Sequence, residues 1–578
     1  MFSPGVTSCA GWPPAPSKVE ADRTGEPNHD RLDPAICQVR ILQEMSVTGN
    51  FDFIIVGAGS AGCVLANRLS ADPAAKVLLL EAGPRDRNPL IRIPIGVNYT
   101  VGSKLDWKLV SEPEAGADNR RLNLPRGKVL GGSSAINGMI FVRGHAEDFN
   151  DWERAGATGW GWDSVLPYFK RMETWQGPSS QDRGSFGPIA VSYGSYRTPL
   201  FEAFLEAGRE MGMPVVDDYN TGDHEGFDWV QYNIDSRRGV RCSAAHGYLQ
   251  PIRGRKNLTV ITDAHVTSLT LQDKRCRGVR YVHQGVERSV AAGETILCAG
   301  AYMSPHLLML AGIGPADQLR AVGVSPTADL PGVGQNLQDH CGSFAQFACT
   351  KPLTYYSLKN PVRGIKAAAE YLFRRTGPIA VFPMSVQAFL RSSPAQERPD
   401  LQVQFYPVSR NLKSPKGEVG TFNAYALQFG LMRPKSRGSL WLRSTDPLQP
   451  PTIQHNFLAD PADVGALTDG LRLVREINAQ NAFRDFTGEE IDPGRHVRSD
   501  SAIQAYNRSN LLSEYHPSGT CKMGTDEMAV VDPKLRVIGI DGLRVADASV
   551  MPVVTTGNTN APTMMIGEKA AALILGES

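Results

Sequence analysis

His516 stands in the stretch SEYHPSGTCKMG (513–524), between the carboxylate of Glu514 and the thiol of Cys521. An imidazole there can take a proton near neutral pH, ligate a metal, or fill a turn built by Pro517 and Gly519. A metal would need ligands beyond His516 and Cys521, and no Cys/His cluster lies beside them in the chain. Which reading holds depends on what the opposite end of the chain binds.

That end reads FDFIIVGAGSAGCVLANRLS (51–70): a short apolar strand, Gly57-x-Gly59-x-x-Gly62, and an apolar helix. Glycines suit a tight turn, a backbone that approaches a pyrophosphate, and a helix packed close on its strand. A lone G-x-G-x-x-G is weak, but the next apolar run, KVLLLEAG (76–83), ends in Glu81, near the ~20-residue offset at which an acid meets a ribose. The unit predicts dinucleotide binding without separating NAD from FAD, since both present adenosine diphosphate. The pairs Gly312/Gly314 and Gly332/Gly334 lack a third glycine and its helix, so no second nucleotide site is expected.

The elements around these motifs must come from a long chain of 578 residues, in which 60 Lys and Arg nearly balance 59 Asp and Glu. That balance offers no general field for nucleic acid or an anionic surface and favours small neutral partners. The nine cysteines are scattered, which argues against a zinc ribbon or a disulfide framework and fits a reducing, cytoplasmic setting. No apolar run reaches the ~18 residues of a membrane span, and the first residues lack the basic start and apolar stretch of a secretory signal, so the protein is expected to be soluble or peripheral. The proline-rich residues 1–45 read as a disordered extension, with Met45 a candidate initiator.

A second glycine block, PRGKVLGGSSAINGMIFVRGHAEDFNDW (125–152), suits a backbone lying against a flat ring. Here the chain resembles the glucose-methanol-choline family of FAD oxidoreductases. Residues 127–150 match its first signature, and GAYMSPHLLMLAGIG (300–314) matches its second, with Ala311 where a serine is usual. The likeness continues through LPGVGQNLQDH (330–340), RPKSRGSLWLRSTDPLQPPTI (433–453) and 542–571, and is greatest to the bacterial choline-dehydrogenase-like and aliphatic-alcohol-dehydrogenase branch.

The resemblance implies an α/β fold: a discontinuous Rossmann-like FAD domain (50–155, 235–340, 510–578) and a substrate domain (160–230, 341–505) with an antiparallel sheet and flanking helices. The coarse pattern agrees. Strand-rich 258–272 and 278–301 would complete the FAD domain, while PDLQVQFYPVS and SLWLRS alternate like half-buried cap strands. A helix is expected after Asp460 with Pro461 at its first position. Carried over by position, Glu81 meets the ribose and Val266 presents backbone to adenine. Asn137, Gly138 and Met139 line the flavin, Val129, Gly132 and Ile140 also bind the cofactor, and Asp547 and Ala548 approach the pyrophosphate or ribityl chain.

The same resemblance makes His516 the base and Asn560, rather than its neighbour Asn558, the amide donor to the substrate oxygen; His340 supports the loop and Cys521 is a bystander. It implies oxidation of a primary alcohol to an aldehyde, hydride passing to flavin N5 and electrons to a quinone or another non-NAD acceptor. The alternatives are an oxidase making hydrogen peroxide, a lyase, or a photodecarboxylase of the same fold. A quaternary ammonium substrate would need aromatic faces and a carboxylate, for which Glu514, Tyr515, Trp107 and Trp229 are of the right type. No resident metal is expected. Some members tether FAD through a histidine just before the asparagine of the glycine block; here that residue is Ile136, so the flavin is expected to be dissociable. Denaturing the holoprotein and filtering it should leave the yellow chromophore in the filtrate, and colour retained with the polypeptide would contradict this.

Overall fold

The strand Asn50–Val56 passes from solvent into the core, ending in the fully buried Ile54, Ile55 and nearly buried Val56. Its apolar run is continuous at that end because parallel neighbours and covering helices bury both faces. Val77–Leu80 pairs with it on one side and Val286–Leu297 on the other, both in parallel. The computed structural model describes residues 50–411 and 418–577, so the expected extension 1–45 and the reading of Met45 lie outside the described residues.

The first sheet has the order Leu258–Ile261, Val77–Leu80, Asn50–Val56, Val286–Leu297, Arg275–His283, Ala264–Gln272. The segments read as strand-rich at 258–272 and 278–301 therefore join the nucleotide sheet. Leu543–Val545 adds to Val286–Leu297 in parallel, which brings the C-terminal motifs beside the first glycine turn. The helix Ser60–Leu69 packs against the C-terminal helix Asn560–Leu575, and Arg68 pairs with the buried Glu568 at 2.7 Å. Two glycines around the start of the first helix leave no room for a side chain. Gly57 has φ +98°, and a Cβ on Gly62 would stand 1.9 Å from the Gly57 carbonyl oxygen.

The second sheet is antiparallel: Thr487–Asp492, Cys341–Cys349, Ala424–Leu431, Leu401–Tyr406, Val386–Leu390, Gly226–Trp229. Val403 and Phe405, with Leu427 and Phe429 opposite them, form a core with Leu467, Leu471 and Val474 of the helix Pro461–Asn478. That helix begins as expected, Asp460 accepting a hydrogen bond from the Ala462 amide with Pro461 first inside.

Two readings of strand pattern are corrected. Leu401–Tyr406 is not half-buried: Gln402 and Gln404 on its polar face are 0 % and 3 % exposed. The alternation is real, but the polar face roofs an internal cavity instead of meeting water. Registers place Asp228, Gln387, Gln404 and Gln428 directly opposite one another across four strands, forming one polar row on that face. The SLWLRS segment does not belong to this sheet. Ser439–Trp441 pairs with Thr452–Gln454 in a separate ribbon, where the Leu440 amide donates to the Gly334 carbonyl and the Gly438 amide to that of Leu337.

Candidate active site

The chain at 512–519 runs antiparallel to 336–342. Ser518 and Gln338 exchange backbone hydrogen bonds, Leu512–Ser513 pairs with Cys341–Gly342, and the Glu514 amide donates to the His340 carbonyl. Gly519, at φ +88°, lies against the Asn336 carbonyl, 2.5 Å from where a Cβ would sit. Asp339 secures the turn, accepting from the His516 amide (2.6 Å) and the Ser513 hydroxyl (2.6 Å). Tyr515 pays for the bend with a left-handed φ of +69°, a strain of about 1 kcal/mol or more for a side chain of its size.

This frame aims the His516 ring between two polar partners. Its Nδ1 lies 2.9 Å from Nδ1 of His340, and its Nε2 lies 2.9 Å from the Asn558 amide nitrogen. With Asn558 donating, Nε2 is unprotonated and Nδ1–H donates to His340; this tautomer follows from the partners of the two ring nitrogens. Burial, then the nearby His340 and Arg126, hold His516 well below the usual histidine range, so the ring is neutral at neutral pH. Burial likewise pushes His340 down to about 3.

Glu514 shares the site. Its Oε1 accepts from Gln428 Nε2 at 3.1 Å, while Oε2 is buried with no hydrogen-bond partner. Burial raises its pKa to about 7, with Asp339 adding to the rise and Gln428 and Arg410 opposing it. Ligating atoms of His340, Glu514 and His516 lie within 4.8 Å of one another, a metal-like grouping invisible along the chain. Cys521 is outside it, fully buried in the apolar core.

One cavity of about 380 Å³, within the ordinary range for small-molecule sites, connects His516, Glu514 and Asn558 to the glycine turn. Gly57, Gly59, Glu81, Val266, Asp547 and Ala548 line the nucleotide end; Gly132, Asn137, Gly138, Met139 and Ile140 also line the cavity. Glu81 is oriented by two backbone donors, Ala58 (2.9 Å) and Gly83 (2.8 Å), and burial raises its pKa to about 7. Asp547 accepts from the Gly300 amide and the Ser304 hydroxyl with one oxygen and from Ser549 with the other.

Whether these residues fit FAD is tested by Gly59. Its φ of −79° suits any residue, and a Cβ there would meet only the Cys298 carbonyl oxygen, at 3.8 Å. Protein packing does not require that glycine; a group seated against the turn does. The helix Ser60–Leu69 has no side-chain N-cap and starts at the cavity wall, which suits a pyrophosphate. The donor set fits.

The structure adds detail to several expectations. Asn560 lines the same cavity as His516; it opens the C-terminal helix and accepts a hydrogen bond from the Ser60 hydroxyl at 2.7 Å, tying two helix starts together. The amide on His516 belongs to Asn558. Gly62 and Val129 are absent from the cavity wall. Gly62 serves helix-to-turn packing, and Val129 is buried in a small cluster with Ile91, Leu105, Ala135 and Ile136. His340 touches the ring itself, and its loop-holding role falls to Asp339. Of the residues considered for an ammonium, Glu514 and Tyr515 line the cavity near His516, whereas Trp107 lies at the nucleotide end beside Lys128 and His265. Trp229 is not on the cavity wall and carries the Arg197 guanidinium over its ring. The sequence reading missed Phe382, Gln404, Tyr406 and Gln428 on the wall; the alternating glutamines of 401–406 were the available signal.

Residues 51–342 and 434–567 match the N- and C-terminal models of the GMC oxidoreductases, and the chain belongs to that family. It is an FAD-dependent oxidoreductase acting on CH–OH donors. It is 46% identical over 531 residues to an oxygen-dependent choline dehydrogenase of Rhizobium etli, covering 91% of this chain and 96% of that protein. Its identity to the mitochondrial choline dehydrogenase of Homo sapiens is 44%, over 91% and 90% of the two chains. Among solved structures it resembles pyridoxine 4-oxidase from Mesorbium loti (TM-score 0.83, 33% identity, 90% and 98% covered). It also resembles a formate oxidase of Aspergillus oryzae RIB40 (TM-score 0.86, 29% identity, 92% and 99% covered). Among the described residues no helix is long and apolar enough to cross a membrane.

The two glycines should separate experimentally. Gly62→Ala should destabilise the apoprotein by about 2 kcal/mol or more in a denaturant titration. Gly59→Ala should leave apoprotein stability nearly unchanged and weaken FAD binding at least about tenfold in a flavin-fluorescence titration.

Proposed function

We propose that the protein oxidises a primary alcohol carrying a cationic head, choline being the first to test, to its aldehyde. The observation that carries this is the pairing of His516 Nε2 with the Asn558 amide on the wall of a cavity that also holds the Glu514 carboxylate. FAD, when bound, supplies the acceptor for the hydride leaving the carbinol carbon.

An alcohol oxygen entering between the two side chains accepts from Asn558 Nδ2 and donates to His516 Nε2. The neutral imidazole takes the hydroxyl proton as charge builds on oxygen, and Asn558 holds that charge. His340 keeps Nδ1 protonated, leaving Nε2 to receive. Asp339 fixes the backbone of the base. The relatives' names support choline, and so does the chemistry of the wall: Glu514 Oε2 lacks a protein partner, while Tyr406, Tyr515 and Phe382 offer aromatic faces. Ile136, in place of a tethering histidine, supports non-covalent FAD. The absence of a second G-x-G-x-x-G from the sequence supports an acceptor other than NAD, for which we assign a quinone; peroxide formation under air would reassign it to oxygen.

In anaerobic stopped-flow reduction, His516→Ala and Asn558→Ala should each slow flavin bleaching by about 10²-fold or more. Asn560→Ala should stay within about threefold in rate and act on FAD retention. The reverse ranking of the two asparagines would return the donor role to Asn560.

The pKa of Glu514 near 7 gives a sign for pH. Below it the carboxyl is neutral and loses its attraction for a cation; above it the anion binds. The kcat/KM for choline should therefore rise through pH about 7 and level off. Glu514→Gln should abolish that step and raise KM for choline at least about tenfold, sparing benzyl alcohol. An equal loss on benzyl alcohol would make Glu514 a positioning residue for His516.

A further inference from the structure

The helix Pro361–Arg374 faces the wrong way for water. Its packed side carries Ala367 and Tyr371, both buried, the tyrosine hydroxyl donating to the Gly239 carbonyl. A surface helix then turns polar residues outward. Here Val362, Ile365, Leu372 and Phe373 project outward, exposed by 75%, 70%, 62% and 87%. Their spacing, with Ala369 between, forms a single stripe at helical period. The helix is well begun, with Pro361 in its first turn and Asn360 accepting from the Val362 and Arg363 amides, so the stripe is held in register.

Exposed cations lie along the helix and at its ends, Lys359, Arg363, Lys366, Arg374 and Arg375, with Lys366 beside the stripe and the Arg375 guanidinium over the Tyr371 ring. The helix has one acid, Glu370, and it accepts from the Thr376 hydroxyl. In a chain whose charges nearly cancel, this is a local excess of one sign. A second copy meeting the same face would bring like charges together. A lipid surface with anionic headgroups answers both features at once, apolar stripe to acyl boundary and cations to phosphates.

We propose that the helix Pro361–Arg374 seats this protein on an anionic lipid surface. Its surroundings give the contact a purpose. Just beyond the helix, the Ile379 carbonyl accepts from the Ile95 amide, and the flanking segments supply Val97, Val101 and Phe382 to the cavity wall. Val101 and Tyr99 are themselves exposed, by 44% and 68%. Docking there brings a rim of the FAD cavity close to lipid, where a quinone dissolves; that consequence rests on the quinone assignment above, whereas the docking does not.

The test is flotation or co-sedimentation of full-length holoprotein with phosphatidylcholine vesicles, with and without phosphatidylglycerol. Binding should require phosphatidylglycerol and weaken with salt. Leu372→Asn with Phe373→Asn, and separately Lys366→Glu with Arg374→Glu, should each reduce partitioning at least about tenfold while dye-linked alcohol oxidation in solution stays unchanged. Wild-type protein that stays unbound, or either double variant binding as well as wild type, overturns the proposal. So does a dimer in light scattering that Leu372→Asn with Phe373→Asn dissolves, which would assign the stripe to a second copy. Loss of alcohol oxidation by His516→Ala without change in vesicle binding keeps the two readings separate.

Discussion

The hydrogen bond between His516 Nδ1 and His340 Nδ1 decides which nitrogen of the candidate base is available to a substrate. Two buried imidazoles side by side cannot both be charged, and burial holds both neutral. One proton between them leaves Nε2 of His516 as an acceptor facing Asn558. The zipper of 336–342 on 512–519, the strained Tyr515 and the carboxylate of Asp339 all hold that ring-to-ring distance. The two histidines stand 176 positions apart in the chain, so the base is assembled by tertiary structure rather than by a local motif.

The nucleotide half is built differently. Parallel strands deliver Gly57, Gly59, Gly62 and Glu81 within one strand-turn-helix-strand unit, and Leu543–Val545 brings Asp547 alongside. Each glycine answers a different neighbour: Gly57 a left-handed turn, Gly62 a carbonyl of the same turn, Gly59 a space in which a Cβ would meet only the Cys298 carbonyl oxygen, at 3.8 Å. That division of roles leaves the cradle open at Gly59, and one cavity joins it to the base.

What could be read beforehand follows from range. The glycine unit and Glu81 were legible because about thirty consecutive residues carry the whole device, and the helix after Asp460 because its cap is local. Asn560 was preferred to Asn558 on the family pattern, and what separates the two in space, where the last helix begins, leaves little mark on a loop in which they stand two residues apart. Asn560 becomes that helix's first residue and turns toward Ser60. His340, 176 positions from His516, left no local trace of their contact. The alternation of 401–406 correctly divided the side chains between two faces, but it could not say that the polar face was covered.

That two-faced strand has a consequence for how such a protein can change over time. Odd positions, Val403 and Phe405, are locked into the helix-backed core, where altered volume threatens folding. The even position Gln404 lies on the cavity wall in the polar row with Gln428. A pleat of period two thus separates heritable risk from heritable novelty on a single piece of chain. Drift at one parity is purged for instability, while drift at the other can explore new alcohols on an unaltered scaffold.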